Sequence, residues 1–204
     1  MKNRRSIRLR EYDYSENGLY FVTICVNGRE ELLGNVENGE MVLNDAGIMV
    51  DNFWNKLPEK YDGIYLDEYI VMPNHFHGII GMFNDNENGN IHRHGRPHGV
   101  APTADSNVGA TPCGRPNIGV FQKNGLSGII SWFKTMTTNQ YIKNVHETNW
   151  PPFYQKLWQR NYHEHVIRNE KELDKIRHYI DINPAKWEMD RYNPINCEGE
   201  KKND

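Results

Sequence analysis

Only three cysteines occur in the 204 residues, Cys25, Cys113 and Cys197, and none shares a CxxC spacing with another. That argues against a disulfide framework or a zinc ribbon and suits a reducing compartment. Long apolar runs are missing as well. No stretch approaches the ~20 consecutive apolar residues of a membrane helix. The N-terminal MKNRRSIRLREY is basic, but no apolar segment follows it, so a secretory signal is not expected. A cytoplasmic chain without a membrane partner is the expectation. Nor is there an excess of basic charge: 24 Lys and Arg stand against 27 Asp and Glu, a net charge of −3. Such a balance gives no global attraction to polyanions. It is broken locally, because Lys2, Arg4, Arg5, Arg8 and Arg10 crowd the first ten residues. They form either a solvated tail or a phosphate-tracking arm.

What is present suffices for a core: 37% hydrophobic and 11% aromatic residues. One domain over 1–204 is expected, with a polar tail over 189–204. LYFVTICV (19–26) is β-branched and aromatic, the composition of a buried strand. In ELLGNVENGEMVL (31–43), Asn38-Gly39 between apolar runs predicts a hairpin. Asn44 is placed to cap a helix whose apolar face would hold Ile48, Phe53, Trp54 and Leu57, and which Pro58 would end. Two strands, 64–72 and 75–82, would meet at Pro73-Asn74. Residues 125–145 read as an amphipathic helix with Lys134 and Lys143 on its polar side. Asn169 with Glu172 suggests a capping box for a last helix, which Pro184 would stop at Asn183. The order of elements is that of an α+β fold with an antiparallel sheet.

Residues 84–120 hold six of the 17 glycines and four of the ten prolines, and read as a flexible loop or insertion. Within it, GRPHGVAPT (95–103) and VGATPCGRP (108–116) flank ADSN. Written in degenerate codons, the first segment has a reverse complement that, one nucleotide out of phase, spells Val-Gly-Ala-Thr-Pro-(Cys or Trp)-Gly-Arg-Pro. The stretch therefore reads as a translated DNA palindrome. A GRP repeat selected at the protein level would leave most of these residues arbitrary.

Three HxH pairs occur: His75/His77, His92/His94 and His163/His165. Residues two apart on a strand share a face, so two imidazoles could hold one cation. Only the first pair has an apolar strand around it. His92 and His94 sit in the insertion. His163 and His165 lie near a presumed helix start, where a two-residue step would turn them about 200° apart. For His75/His77, a metal pair and satisfied sheet histidines are both open. Further ligands are offered by the last helix, where Tyr179 and Asn183 stand four apart on one face. Asn183 could give its amide oxygen and Tyr179 a phenolic hydroxyl, although a helical Tyr is ordinarily a core residue. Tyr162, in RNYHEH, has no amide four residues on.

PNHFHGII, WQRNYHEHVIRNEKELDKIRHYIDINP and the N-terminal RSIRLREYDYSENGLYFVTICV together resemble the HUH single-tyrosine transposases, in the branch associated with repetitive extragenic palindromes. The likeness spans most of residues 4–188. It implies a ferredoxin-like antiparallel sheet flanked by helices. It also implies metal ligation by His75, His77 and Asn183, with Mg²⁺ or Mn²⁺, and Tyr179 as nucleophile. The implied substrate is single-stranded DNA with a hairpin beside the cut, and the chain would act as a monomer or homodimer. Arg4, Arg5, Arg8, Arg10, Lys134 and Arg160 are candidate DNA contacts. Two other readings remain open: a hairpin-binding protein without cleavage, and a metallohydrolase that uses water and has no need of Tyr179.

Overall fold

In the computed structural model, residues 17–83 and 119–199 are described, with side chains for 17–83 and 125–196. The strand Gly18–Cys25 (β1) forms where expected and becomes an inner strand of the main sheet. The hairpin also forms. Gly34–Glu37 (β2) and Glu40–Leu43 (β3) join through Asn38 (φ 52) and Gly39 (φ 79). Two successive positive φ values are what a type I′ turn demands, and Gly carries the second without strain. Asn44 caps the helix Asp45–Asn55 (α1), its side chain accepting from Gly47 N at 2.9 Å.

The buried face of α1 differs from expectation. Ile48 is 48% exposed, whereas Ala46, Met49, Val50 and Trp54 face the core. Pro58 does not end helical structure either. It opens a short helix, Leu57–Lys60 (α2), because proline's fixed φ is compatible with a first turn.

Ile64–Met72 (β4) and His75–Met82 (β5) pair antiparallel, and β1 pairs β5 with Thr23 opposite His77 and Cys25 opposite His75. The helix Gly119–Glu147 (α3) is broken at Gly125 (φ 51, ψ −158). Next comes His163–Ile167 (β6), a strand where a helix start was expected; it pairs the outer side of β1. The helix Glu170–Asp181 (α4) begins at Asn169, whose side chain accepts from Glu172 N. Glu172 does not reach back to Asn169. Its carboxylate accepts from Arg168 N and meets His165 Nε2 at 2.8 Å.

The sheet order is β4-β5-β1-β6, all antiparallel. With α1 before β4 and α3 before β6, this is the β-α-β-β-α-β arrangement of ferredoxin-like folds. On one face, Tyr20, Val22, Ile24, Phe76 and Ile80 belong to a core with Trp54 of α1 and Phe133 of α3. The Trp54 ring centroid lies 4.5 Å from that of Phe76 and 5.5 Å from that of Phe133. Burying a ring such as Phe76 is worth ~2–3 kcal/mol. A Cβ on Gly78 would come within 2.7 Å of Trp54, so this position in β5 must stay bare. On the other face, Ile79 and Ile167 pack with Leu173 and Ile180 of α4.

Candidate metal and nucleophile site

The site begins at the Pro73-Asn74 turn, which sets the histidines of β5. Asn74 is fully buried and uses its whole amide. Its Nδ2 donates to Arg29 O (3.1 Å) and Tyr192 O (2.8 Å), and its Oδ1 lies 2.9 Å from His75 Nδ1. Two carbonyl acceptors fix which way the amide faces, so His75 carries its proton on Nδ1 and offers a lone pair at Nε2. His77 is braced in parallel by Thr23, whose Oγ1 lies 2.8 Å from its Nδ1. The two Nε2 atoms come within 3.1 Å of each other.

Both imidazoles are held neutral. Burial pushes His75 well below its ordinary range, with the neighbouring His77, Arg191 and Arg29 adding to the effect. Burial, with Arg191, takes His77 down to about 3. Neutral imidazoles with bonded second nitrogens are the form that ligates metals.

Tyr179 stands over this pair. Its hydroxyl lies 3.3 Å from His77 Nε2, and its ring meets that imidazole edge-on, with centroids 5.3 Å apart. The residue is 39% exposed, so the phenol is accessible from outside. Burial and Asp190 raise its pKa, while a hydrogen bond from Asn183 and the charge of Arg191 lower it; the net shift is upward. The phenol is therefore protonated at neutral pH.

Asn183 keeps αR backbone (φ −58, ψ −45) despite Pro184, and the chain continues into a 3₁₀ segment, Pro184–Met189. The four-residue relation to Tyr179 thus survives past the end of α4. Asn183 is 2% exposed, and its Oδ1 has no hydrogen-bond partner among the described residues. A buried acceptor left so costs ~1–3 kcal/mol unless a donor or a cation meets it. Among the described residues, no group of three or more His, Cys, Asp or Glu is placed to share a metal ion. A third protein ligand for a cation at the histidine pair would be of another kind, and this buried amide oxygen fits that part.

A protein of Haemophilus influenzae, described only as uncharacterized, is 35% identical over 189 residues, covering 93% of this chain and 92% of its own length. The chain belongs to that protein's family. No protein-family model matches the chain. Among solved structures, it is similar to a REP-associated tyrosine transposase bound to a REP hairpin, at 20% identity and a TM-score of 0.45. That likeness covers 88% of this chain and 73% of the other. It is also similar to a Deinococcus radiodurans protein described as a candidate transposase, at 13% identity and a TM-score of 0.42. There the coverage is 85% and 95%.

In this member of the family, four residues beyond the expected set build the site. Thr23 and Asn74 orient the histidines. Tyr192, 4% exposed, places its ring 4.6 Å from His75. Arg191 lies 4.7 Å over the Tyr192 ring and donates from Nη2 to its hydroxyl at 2.6 Å. Within the expected polar tail, Tyr192 and Asn193 are buried, whereas Met189 at its start is 76% exposed. Asn74 had one visible signal, its place directly before HxH; Tyr192 repeats the Tyr–Asn spacing with Asn196 but across Pro194, and nothing in the sequence marks Arg191.

The other candidates lie elsewhere. Lys134 is not on a free polar face: it is half-buried and donates to Gln159 O (2.6 Å) and Arg160 O (3.0 Å). Lys134, Arg160 and Tyr162 line one separate cleft. His163 and His165 share the face of His77, since both His163 and His77 pair with Thr23. With β1 between them, His163 stands two strand spacings from His77, ~10 Å, beyond ligand distance. Arg4, Arg5, Arg8 and Arg10, His92 and His94, and residues 84–118 of the insertion lie outside the described residues.

No helix among the described residues is long and apolar enough to cross a membrane.

Proposed function

We propose that the chain nicks single-stranded DNA beside a hairpin and transfers the cut strand, with Tyr179 as nucleophile and His75, His77 and Asn183 holding a divalent cation. One observation carries this reading: a reachable phenol stands 3.3 Å from one of two buried, neutral, facing imidazoles. The unpartnered Asn183 oxygen supports it. The translated palindrome in the same chain agrees with a hairpin as substrate.

A bound cation, Mg²⁺ or Mn²⁺ by the mix of imidazole and amide oxygen, supplies polarisation of a non-bridging phosphate oxygen. The chain's own groups do the rest. Asn74 and Thr23 brace the two rings so that their Nε2 atoms lie 3.1 Å apart. Asn183 and Arg191 oppose the rise in the Tyr179 pKa and so favour loss of its proton. Attack forms the Tyr179 Oη–phosphorus bond and breaks the bond to the 3′-oxygen, which in net receives the phenolic proton. A 5′-phosphotyrosine and a free 3′-hydroxyl result, and the phosphodiester energy is retained for transfer to another 3′-hydroxyl.

Incubation with single-stranded hairpin DNA and Mn²⁺, followed by a denaturing gel, tests the reading. A covalent protein–DNA band is expected from the wild type and none from Tyr179→Phe, with hairpin binding kept. Cleavage by Tyr179→Phe at the wild-type rate would point to a water nucleophile and overturn the covalent mechanism.

A further inference from the structure

A second group of basic side chains lies away from the histidines, in a cleft of about 570 Å³ between α3 and residues 153–160. Ligand sites commonly span ~300–1,000 Å³. Lys134, Lys156 and Arg160 all line it, and among the described residues no Asp or Glu does, although the chain as a whole is net negative. Two of the three Lys134 ammonium donors are taken by the Gln159 and Arg160 carbonyls, which leaves one for a ligand. Burial is the main cause that pulls Lys134 down to about 8, and the like charge of Lys156 adds to it. A half-buried cation among cations is relieved by an anion.

The remaining lining suits a nucleotide. Thr135 and Thr138 spend their hydroxyl protons on the carbonyls of Ser131 and Lys134, which leaves their oxygens as acceptors. Tyr162 and Phe153 supply ring surface, on which a base stacks without regard to sequence.

Position ties the cleft to the first site. Its wall is pinned to the end of β1: Asn27 N donates to Leu157 O (2.8 Å) and Gln159 N to Cys25 O (2.9 Å). Cys25 is the register partner of His75. The two sites therefore flank one end of β1.

We propose that this cleft binds an unpaired nucleotide of the same DNA strand, its phosphate on Lys134, Lys156 and Arg160 and its base against Tyr162 or Phe153. This rests on the functional reading above, and it assigns the unpaired flank of the hairpin to a place distinct from the cut.

The test compares two DNAs, a blunt hairpin and the same hairpin with a short unpaired extension at either end, bound by the full chain and by Lys156→Ala/Arg160→Ala. Both residues are exposed, so the fold should stand. The extension should tighten wild-type binding, and the double variant should bind the extended DNA alone on the order of tenfold more weakly. Its log K against log salt should flatten by about 0.7, the value for one single-strand phosphate that is no longer neutralised. Equal weakening on both DNAs, or an extension that adds nothing to wild-type affinity, would overturn the cleft assignment while leaving the hairpin reading intact. A wild type that binds neither DNA would overturn that reading and this inference with it.

Discussion

Asn74 spends one side chain on three tasks: it sets the His75 tautomer, ties down the turn at Arg29 and anchors the backbone at Tyr192. Replacing it therefore confounds fold and site. Thr23 offers a cleaner probe, because Thr23→Val keeps the β-branched shape and removes only the hydroxyl that braces His77. Loss of such an outer partner typically costs 10–100-fold in metal affinity. We expect about a tenfold weaker Mn²⁺ titration at little cost in melting temperature; an unchanged Mn²⁺ affinity would show that His77 is oriented by something else. Arg191 is near enough for its charge to act on Tyr179 and on both imidazoles, so on the proposed mechanism it would stabilise a phosphate attacked by Tyr179. Arg191→Ala should slow adduct formation on the order of 10²-fold, in line with loss of one preorganised donor. Arg191→Lys should rescue little, since an ammonium lacks the planar fork. Adduct kinetics with hairpin affinity measured in parallel would separate this from weaker binding.

The helix that carries Tyr179 is fastened to the sheet two residues earlier. Arg177 donates from Nε and Nη2 to the two carboxylate oxygens of Asp67 on β4, each at 2.7 Å. The Asp67 side chain is 5% exposed and that of Arg177 36%. Burial alone would raise the Asp67 pKa, but hydrogen bonds from Arg177, Glu68 N and Tyr65 outweigh it and hold the carboxyl below its unfolded value of 3.8. A depressed folded pKa means that the contribution to stability is present above pH ~4 and is lost as pH falls through the folded value. Asp67→Asn should remove that acid dependence. It should cost about 2–3 kcal/mol, less than a fully buried pair because Arg177 remains partly in water. Urea melts at pH 7 and pH 3 should show the difference between wild type and variant shrinking at the lower pH; an equal gap at both would discount the pair.

Elements of this kind were legible in proportion to how local their signals are. The Asn38-Gly39 turn, the Asn44 and Asn169 caps and the alternation around His75 each lie within a few residues, and each stands in the structure as expected. HEHVI did not read as a strand, because five residues with three titratable side chains show little alternation; β1 supplies its pairing from about 140 positions away. Ile48 was assigned to the buried face because its neighbours are apolar, yet packing follows Ala46, Val50 and Trp54, spaced four apart. The roles of Asn74 and Tyr192 depend on a contact across 118 positions, which no window along the chain contains.

For the whole molecule, a net charge of −3 conceals a separation. Cations gather in the first ten residues, in the α3 cleft, and at Arg29 and Arg191 beside the histidines. Neutralising Arg4, Arg5, Arg8 and Arg10 should weaken hairpin binding and flatten its salt dependence without touching the rate of adduct formation at saturating DNA. An unchanged salt slope would mean that the arm contacts no phosphate. One further consequence follows from β5, which puts His75 and His77 on one face and Phe76, Gly78 and Ile80 on the other. A slip of one residue would turn Phe76 towards α4 and drive both imidazoles against Trp54. No chain can therefore keep its interior while misplacing the pair. If the pair holds the proposed cation, counting metal equivalents in a mixed preparation would amount to counting correctly folded molecules.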